Sequence, residues 1–385
     1  MASIKPAASH HAVLAGFLGW TLDAFDFFVV VFLFDTLAQH FGVAKRDIVL
    51  TTTFTLAMRP VGALIFGLLS DRFGRRIPLM ANVVYFSIIE LLCGFAPNFT
   101  VFLILRALFG IGMGGEWGVG ASLAMEAAPP RLRGVLSGIL QSGYSIGYLL
   151  AAIAARFLLP LAGWRWMFWI GALPALLALY IRTKVPESEA WKQHRVATTG
   201  EVLRVVAKQW KRFAYLVVLM TFMMFLSHGT QDLYPDFLHE VHKISGAARA
   251  NIAITYNIGA VVGAILFGFV SQSAGRRKGM IAALALLVAG AFLMQMGVQG
   301  AWGVVPVHLN ELSADAARGL MPGLAYQLGI LFASPTNSIQ YALRNHFGYE
   351  WALAGFEVVT IVSLAILLSL GTEAHGREFV RASSA

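Results

Sequence analysis

From the first residues past the polar start to Leu370, the chain is a series of apolar runs, each about as long as a bilayer is thick. A helix needs about 20 apolar residues to cross the hydrocarbon. Read between breaks rich in charge, glycine or proline, the runs fall near 12–37, 48–70, 78–97, 99–127, 134–159 and 164–182. A polar stretch from Arg182 to Arg212 follows, and then runs near 213–238, 247–270, something between 279 and 312, 319–343 and 351–370. With 58% of 385 residues hydrophobic and 13% charged, a soluble chain of this length could not hide its apolar surface. The fold class is an all-α polytopic membrane protein: six spans, a basic linker, and a second set of spans.

The formal charge of +9 sets topology; it is not a nucleic-acid footprint. With the N-terminus in the cytoplasm, inside segments hold 20 Lys and Arg: Lys5, Arg72, Arg75, Arg76, Arg131, Arg133, eight from Arg182 to Arg212, Arg276, Arg277, Lys278, Arg318, Arg377 and Arg381. Outside loops hold 7, and Arg59 and Arg106 lie inside spans. That asymmetry places both termini in the cytoplasm. Cys93 is the one cysteine, so no disulfide forms within the chain and no metal cluster is expected. The first apolar run is too long for a cleaved signal peptide and reads as a retained span.

The two halves repeat. GLLSDRFGRR (Gly67–Arg76) recurs as GFVSQSAGRR (Gly268–Arg277), and GGEWGVGASLAMEAAPPRLRG (Gly114–Gly134) recurs as QGAWGVVPVHLNELSADAARG (Gln299–Gly319). Two matches in the same order point to an internal duplication. Between Arg76 and Glu126 lie 50 positions, but between Arg277 and Glu311 only 34. Two full crossings do not fit in the shorter interval. Either the ninth and tenth helices are truncated or residues are missing between them.

Parallel repeats of six spans are the plan of major facilitator superfamily transporters, which the chain resembles over nearly its whole length. The expected organisation is a first bundle at 1–183, a cytoplasmic basic linker at 184–211, a second bundle at 212–372 and a cytoplasmic tail at 373–385. GLLSDRFGRR matches the superfamily signature between its second and third spans. Gly67 would allow close packing, Asp71 would pair with an arginine or a helix N-terminus, and Arg75 and Arg76 would hold the loop inside. The resemblance makes these four a conformational gate. Gln272 replaces Asp71 in the second copy, so one copy alone can form the charged latch.

GIGMGGEWG (Gly110–Gly118) looks like a dinucleotide fingerprint but sits in an apolar helix with no preceding strand, so that reading fails. Its small residues let helices approach closely. Charges inside spans persist only where they face a cavity or a partner. Asp23 and Asp26 share a face of the first span, and Glu116 lies in the fourth. Arg59 lies 12 residues before Asp71, about 18 Å up its helix and near the midplane where transporters bind. It either grips a substrate carboxylate or pairs with Asp23 or Asp26. Arg106, in RALFGIG, resembles the superfamily's fourth-span arginine tied to proton coupling; a structural salt bridge is the alternative.

In the seventh span, His228 and Asp232 are spaced to stack on one face beside Gln231, and Pro235 should interrupt the helix and free carbonyls. A histidine tuned by a carboxylate suits a proton-coupling role. The stretch resembles the proton-coupled branch that contains fungal lactate permeases and bacterial sialic acid permeases. Ser227, His228, Thr230, Gln231 and Asp232 match its seventh-span motif; Met224 replaces an Asn and Asp236 a Thr. GWTLDAFDFF and QSGYSIGY (Gln141–Tyr148) also look like this branch, and the eleventh-span Gln-x-x-Asn is Gln327 and Ile330 here.

The resemblance implies a proton-coupled symporter of a small monocarboxylate such as lactate or pyruvate. Arg59, Gln141, Tyr144 and Gln327 would line the substrate site. His228, Asp232, Gln231, Asp23, Asp26, Arg106 and Glu116 would carry or gate the proton. The alternative is a symporter of sialic acid or another larger organic acid. From a different class comes a non-transporting sensor or degenerate relative, supported by the short ninth–tenth region. No catalytic set is visible, so no enzyme, cofactor or nucleic-acid partner is expected. The partners implied are a small organic acid anion, a proton and the lipid bilayer, for a monomer in a bacterial inner membrane.

Overall fold

In the computed structural model, which describes residues 6–244, 246–288 and 290–380, all the regular structure among the described residues is helical. Lys5, Arg381 and the last five residues of the tail lie outside them. The first half contains α1 (Pro6–Phe32), α2 (Lys45–Phe73), α3 (Arg76–Cys93), α4 (Phe99–Ala127) and α5 (Arg133–Ala162). It closes with α6 (Trp164–Lys184), which carries a turn at 171–173. The second half contains α7 (Trp210–Gln231), α8 (Gly246–Ala274), α9 (Arg276–Leu284), α10 (Gly290–Leu312), α11 (Met321–Ala333), α12 (Thr336–Phe347) and α13 (Tyr349–Leu370). Among the described residues, 9 helices are long and apolar enough to cross a membrane.

Where the helices depart from the expected runs, local chemistry explains it. The seventh run ends at Gln231, not 238: Pro235 falls in the first turn of a separate short helix, Tyr234–Glu240, where its missing N–H costs nothing. The run expected at 319–343 is two helices, parted at Ser334 and Pro335. The ninth element is only nine α-helical residues followed by a 3₁₀ turn at Ala285–Val288, after which α10 returns over 23 residues. At 1.5 Å per residue, α9 rises about 14 Å, half a crossing.

The duplicated loops fold alike. Gly74 and Gly275, at equivalent positions, take φ of 98° and 93°, a region that side chains avoid. Arg75 donates to Glu126 (2.9 Å) and to the Ser70 carbonyl (2.9 Å). Arg276 donates to Glu311 (3.0 Å) and to the Ser271 carbonyl (3.1 Å). Glu187 accepts from the Arg76 amide at 3.2 Å, as Glu373 accepts from the Arg277 amide at 3.0 Å.

The linker is structured where it meets these loops. It forms Glu189–Gln193 and Thr199–Lys208, the second opened by a Thr198–Glu201 capping box. Trp191 donates its indole N–H to the Asp71 carbonyl at 2.7 Å.

Glycines set the contact between α2 and α4. A Cβ on Gly114 would stand 1.9 Å from the Arg59 carbonyl oxygen, and one on Gly110 2.1 Å from that of Thr55. Both are backbone atoms that cannot step aside. Gly114→Val is therefore expected to part the two helices, lowering stability by about 3 kcal/mol and displacing Arg59. Thermal melting of the purified variant in detergent checks this; an unchanged midpoint would refute it.

Candidate functional site

Six ionisable side chains meet inside the first half, all nearly excluded from solvent: Asp23, Asp26, Arg59, Glu90, Arg106 and Glu116. α1 supplies the aspartates, α2 Arg59, α3 Glu90, and α4 both Arg106 and Glu116. Arg106 donates to Glu90 at 2.8 Å and lies 4.2 Å from the Phe109 ring centroid. The structural salt bridge weighed for Arg106 is thus present, with a partner the sequence reading passed over. Glu90, a lone carboxylate in SIIELLCG, carries the same signal of a charge inside a span, but no motif lies beside it.

Asp26 lies beside Glu90, both seated against Gly171: a Cβ there would come within 2.5 Å of the Asp26 carboxylate and 2.7 Å of Glu90 Cγ. The turn in α6 therefore makes room for two acids. Glu116 occupies the space left by Gly19, where a Cβ would lie 2.2 Å from its carboxylate. Arg59 forms no ion pair with Asp23 or Asp26 among the described residues, though its charge acts on Asp23 and Glu116. Its Nε and one terminal nitrogen are buried without a hydrogen-bond partner.

Arg59 is directed across the molecule. Its guanidinium carbon lies 5.6 Å from the Tyr326 ring of α11. Tyr326 stacks on Trp117 at 4.4 Å and meets Trp20 and Trp302 edge-on at 6.2 and 5.6 Å. The indole N–H groups of Trp20 and Trp302 are buried and unpartnered, as is the Gln327 amide. Gln141 accepts from the Trp117 indole at 3.3 Å. Tyr144 stacks on Trp20 at 5.4 Å and lies within electrostatic reach of Arg59, Asp23 and Asp232. The residues expected at a substrate site thus gather around one aromatic wall, joined by Trp20, Trp117 and Trp302, which the motif reading did not single out.

His228 and Asp232 form their expected pair at 3.2 Å, but with side chains 40% and 33% exposed, apart from the buried cluster. Asn337 donates to Asp232 at 3.0 Å, and Gln231 to Gln295 at 2.9 Å. Where α7 breaks, the Gly229 carbonyl takes the Gln340 amide at 2.9 Å instead of the next turn of helix.

Of the four residues expected to gate, Asp71 and Gly67 reach the second half. Asp71 accepts from Arg75 (2.6 Å) and from the backbone amides of Gly319 (2.7 Å) and Leu320 (3.0 Å), just before α11. A Cβ on Gly67 would lie 2.9 Å from the Leu320 Cα, so only glycine admits that approach. Arg76 donates to the Arg182 carbonyl. The second copy also latches, without charge: Gln272 accepts from the Gly134 amide and donates to the Pro130 carbonyl, both at 2.8 Å. Arg318 with Glu126, Ser122 with the Arg318 carbonyl, and Ser137 with the Gly303 carbonyl add further ties. All these bonds lie toward the basic-loop end. His228 and Asp232, part-exposed, lie at the far end of α7 from its basic start.

Comparison with known proteins agrees with this architecture. The chain is 32% identical to the carboxylic acid transporter protein homolog of Saccharomyces cerevisiae, over 88% of this chain but only 62% of that protein's length. It is 26% identical to the sialic acid transporter NanX of Escherichia coli, over 95% of this chain and 94% of that protein. Its fold superposes on the proton:xylose symporter XylE bound to 6-bromo-6-deoxy-D-glucose with a TM-score of 0.76 at 20% identity, covering 96% and 97% of the two chains. The sequence model of the Major Facilitator Superfamily matches residues 16–309, and the chain, a polytopic membrane protein, belongs to that superfamily.

Proposed function

We propose that the chain is a proton-coupled symporter of an organic acid anion larger than lactate, in the branch of sialate and carboxylate permeases. It works by alternating access between bundles at 1–183 and 212–372, joined by the linker at 184–211 and followed by the tail at 373–385. It sits as a monomer in a bacterial inner membrane with both termini cytoplasmic. The observation that carries this reading is Arg59: a buried guanidinium with unsatisfied donors, facing an aromatic wall built from both halves. A carboxylate accepts two parallel bonds from it, while Trp117 and Tyr326 offer faces for an apolar or unsaturated body. The unpartnered indole and amide groups of Trp20, Trp302 and Gln327 offer further polar contacts to a larger acid. The names of the yeast and Escherichia coli relatives, a carboxylic acid and a sialic acid transporter, support the same class.

Charge balance supports proton coupling. The two arginines Arg59 and Arg106 offset two carboxylates among Asp23, Asp26, Glu90 and Glu116; an uncompensated charge in so dry a place is costly. The cluster therefore holds protons, and an arriving anion that claims Arg59 changes how many. His228 and Asp232, part-exposed at the break in α7, pass protons to and from water.

The small-monocarboxylate reading is favoured by the lost amides at Met224 and Ile330. Liposomes with an acidic exterior decide between the two. Uptake of a labelled aromatic or sialic acid that collapses with a protonophore, and that lactate inhibits at least about tenfold more weakly, is the expected result. Tighter competition by lactate would restore the smaller substrate, and no acid-driven uptake of either would overturn symport.

A further inference from the structure

Among the described residues outside the Arg59 cluster, Asp71, Glu126 and Glu311 are buried against arginines, but the carboxylate of Glu357 is buried in a membrane-spanning helix without one. Glu357 lies on α13, eight residues past its start at Tyr349, or about 12 Å along the helix. Its neighbours Val358 and Val359 are 57% and 66% exposed on the outer surface, whereas both Glu357 carboxyl oxygens are buried and without a hydrogen-bond partner. The carboxyl is seated in the hollow left by Gly229 of α7: a Cβ there would lie 1.9 Å from it. Gly229 follows His228, two residues before α7 ends at Gln231.

Among the described residues, no cation compensates Glu357. α13 packs against α7, α9 and α12. On α7 and its break, His228 and Asp232 pair with each other; Lys211, Arg212 and Tyr215 belong to its opposite end. On α12, Arg344 pairs with Glu240 and covers Tyr349, and Tyr341 and His346 are exposed. On α13 itself, Glu350 and Tyr349 lie at the start. The α9 cations Arg276, Arg277 and Lys278 lie at the basic-loop end, where Arg277 holds carbonyls of Leu368 and Ser369. An ionised carboxylate in this apolar seat has nothing to offset its lost hydration.

We propose that Glu357 is a proton-binding switch, separate from the Arg59 cluster, that controls the outer end of α7. Neutral, it docks against Gly229 and keeps the segment carrying His228 and Asp232 in place. Ionised, it leaves that seat for water, and the segment opens. The polar ties around the break (Gln340 to the Gly229 carbonyl, Asn337 to Asp232, Gln231 to Gln295) give the segment a defined closed position to return to. The proposal does not depend on which acid is carried.

Hydrogen exchange of residues 226–240 in the full-length protein in lipid nanodiscs tests it without any substrate. Corrected for intrinsic exchange, opening of the wild type should rise with pH, by up to about tenfold per unit once ionisation drives it. Glu357→Gln, which keeps the shape and removes the proton, should flatten the profile; His228→Ala and Asp232→Asn should keep the rise. Gly229→Ala, which evicts the carboxyl, should open the segment at every pH. A flat wild-type profile, a rise that survives in Glu357→Gln, or wild-type behaviour of Gly229→Ala would each overturn the proposal.

Discussion

Arg59→Ala is expected to cripple acid-driven uptake, lowering kcat/KM about 30- to 5,000-fold, the loss that follows from removing one partner of a desolvated charged contact worth about 2–5 kcal/mol. Arg59→Lys should not restore it, because an ammonium lacks the planar fork that takes a carboxylate at two points. The fold should survive. Two of the guanidinium nitrogens bond nothing in the protein, and the contact with Tyr326 is worth only about 1 kcal/mol. Asp23 and Glu116 lose a counter-charge but can take up protons in its place, so the variant, already protonated there, should also bind fewer protons from solution when substrate is added. Substrate uptake by liposomes and proton binding by the purified protein on substrate addition check the two parts. Uptake within threefold of wild type from Arg59→Ala would remove Arg59 from the substrate site.

Much of this architecture was legible because a bilayer leaves few options. Long apolar runs gave helices close to α1 through α6, and the repeated GRR loops gave two clusters that fold alike down to Arg75–Glu126 and Arg276–Glu311. Arg59 stood out by depth alone. What stayed hidden depends on partners distant in sequence. Glu90 and Glu357 are single acids in apolar runs, and each gains meaning only from the residue it meets: Arg106 across 16 positions, Gly229 across 128. The aromatic wall joins α1, α4, α10 and α11, a convergence no local pattern records. Pro335 separates α11 from α12, where the apolar run gives way to the polar stretch TNSIQYALRNHF. Gln272 read as a lost charge, but the structure shows an amide doing with two neutral hydrogen bonds what Asp71 does with charge.

That asymmetry between the copies yields the last expectation. Asp71 takes two backbone amides before α11 while Arg75 holds it in place, so this carboxylate ties the first half to the second at the closed end. In Asp71→Asn, one of the two side-chain positions becomes a donor facing a donor. The lost bond costs about 1–3 kcal/mol, or about 5- to 150-fold in the balance between closed and open gates. Gln272→Ala removes two neutral bonds and a long 3.4 Å contact from Arg276, which keeps Glu311, and should shift the same balance by less than about tenfold. Arg75→Ala goes furthest: it leaves Asp71 and Glu126 buried without their shared cation, a cost of about 3–5 kcal/mol. Spin labels at the exposed Arg131 and Ser273 positions, in a Cys93→Ser background, report the separation of the halves at this end. The long-distance population should grow in the order Gln272→Ala, Asp71→Asn, Arg75→Ala. Equal effects of Gln272→Ala and Asp71→Asn would mean that the charge on Asp71 contributes nothing to closure, and the latch would then be one of shape alone, set by Gly67 against Leu320.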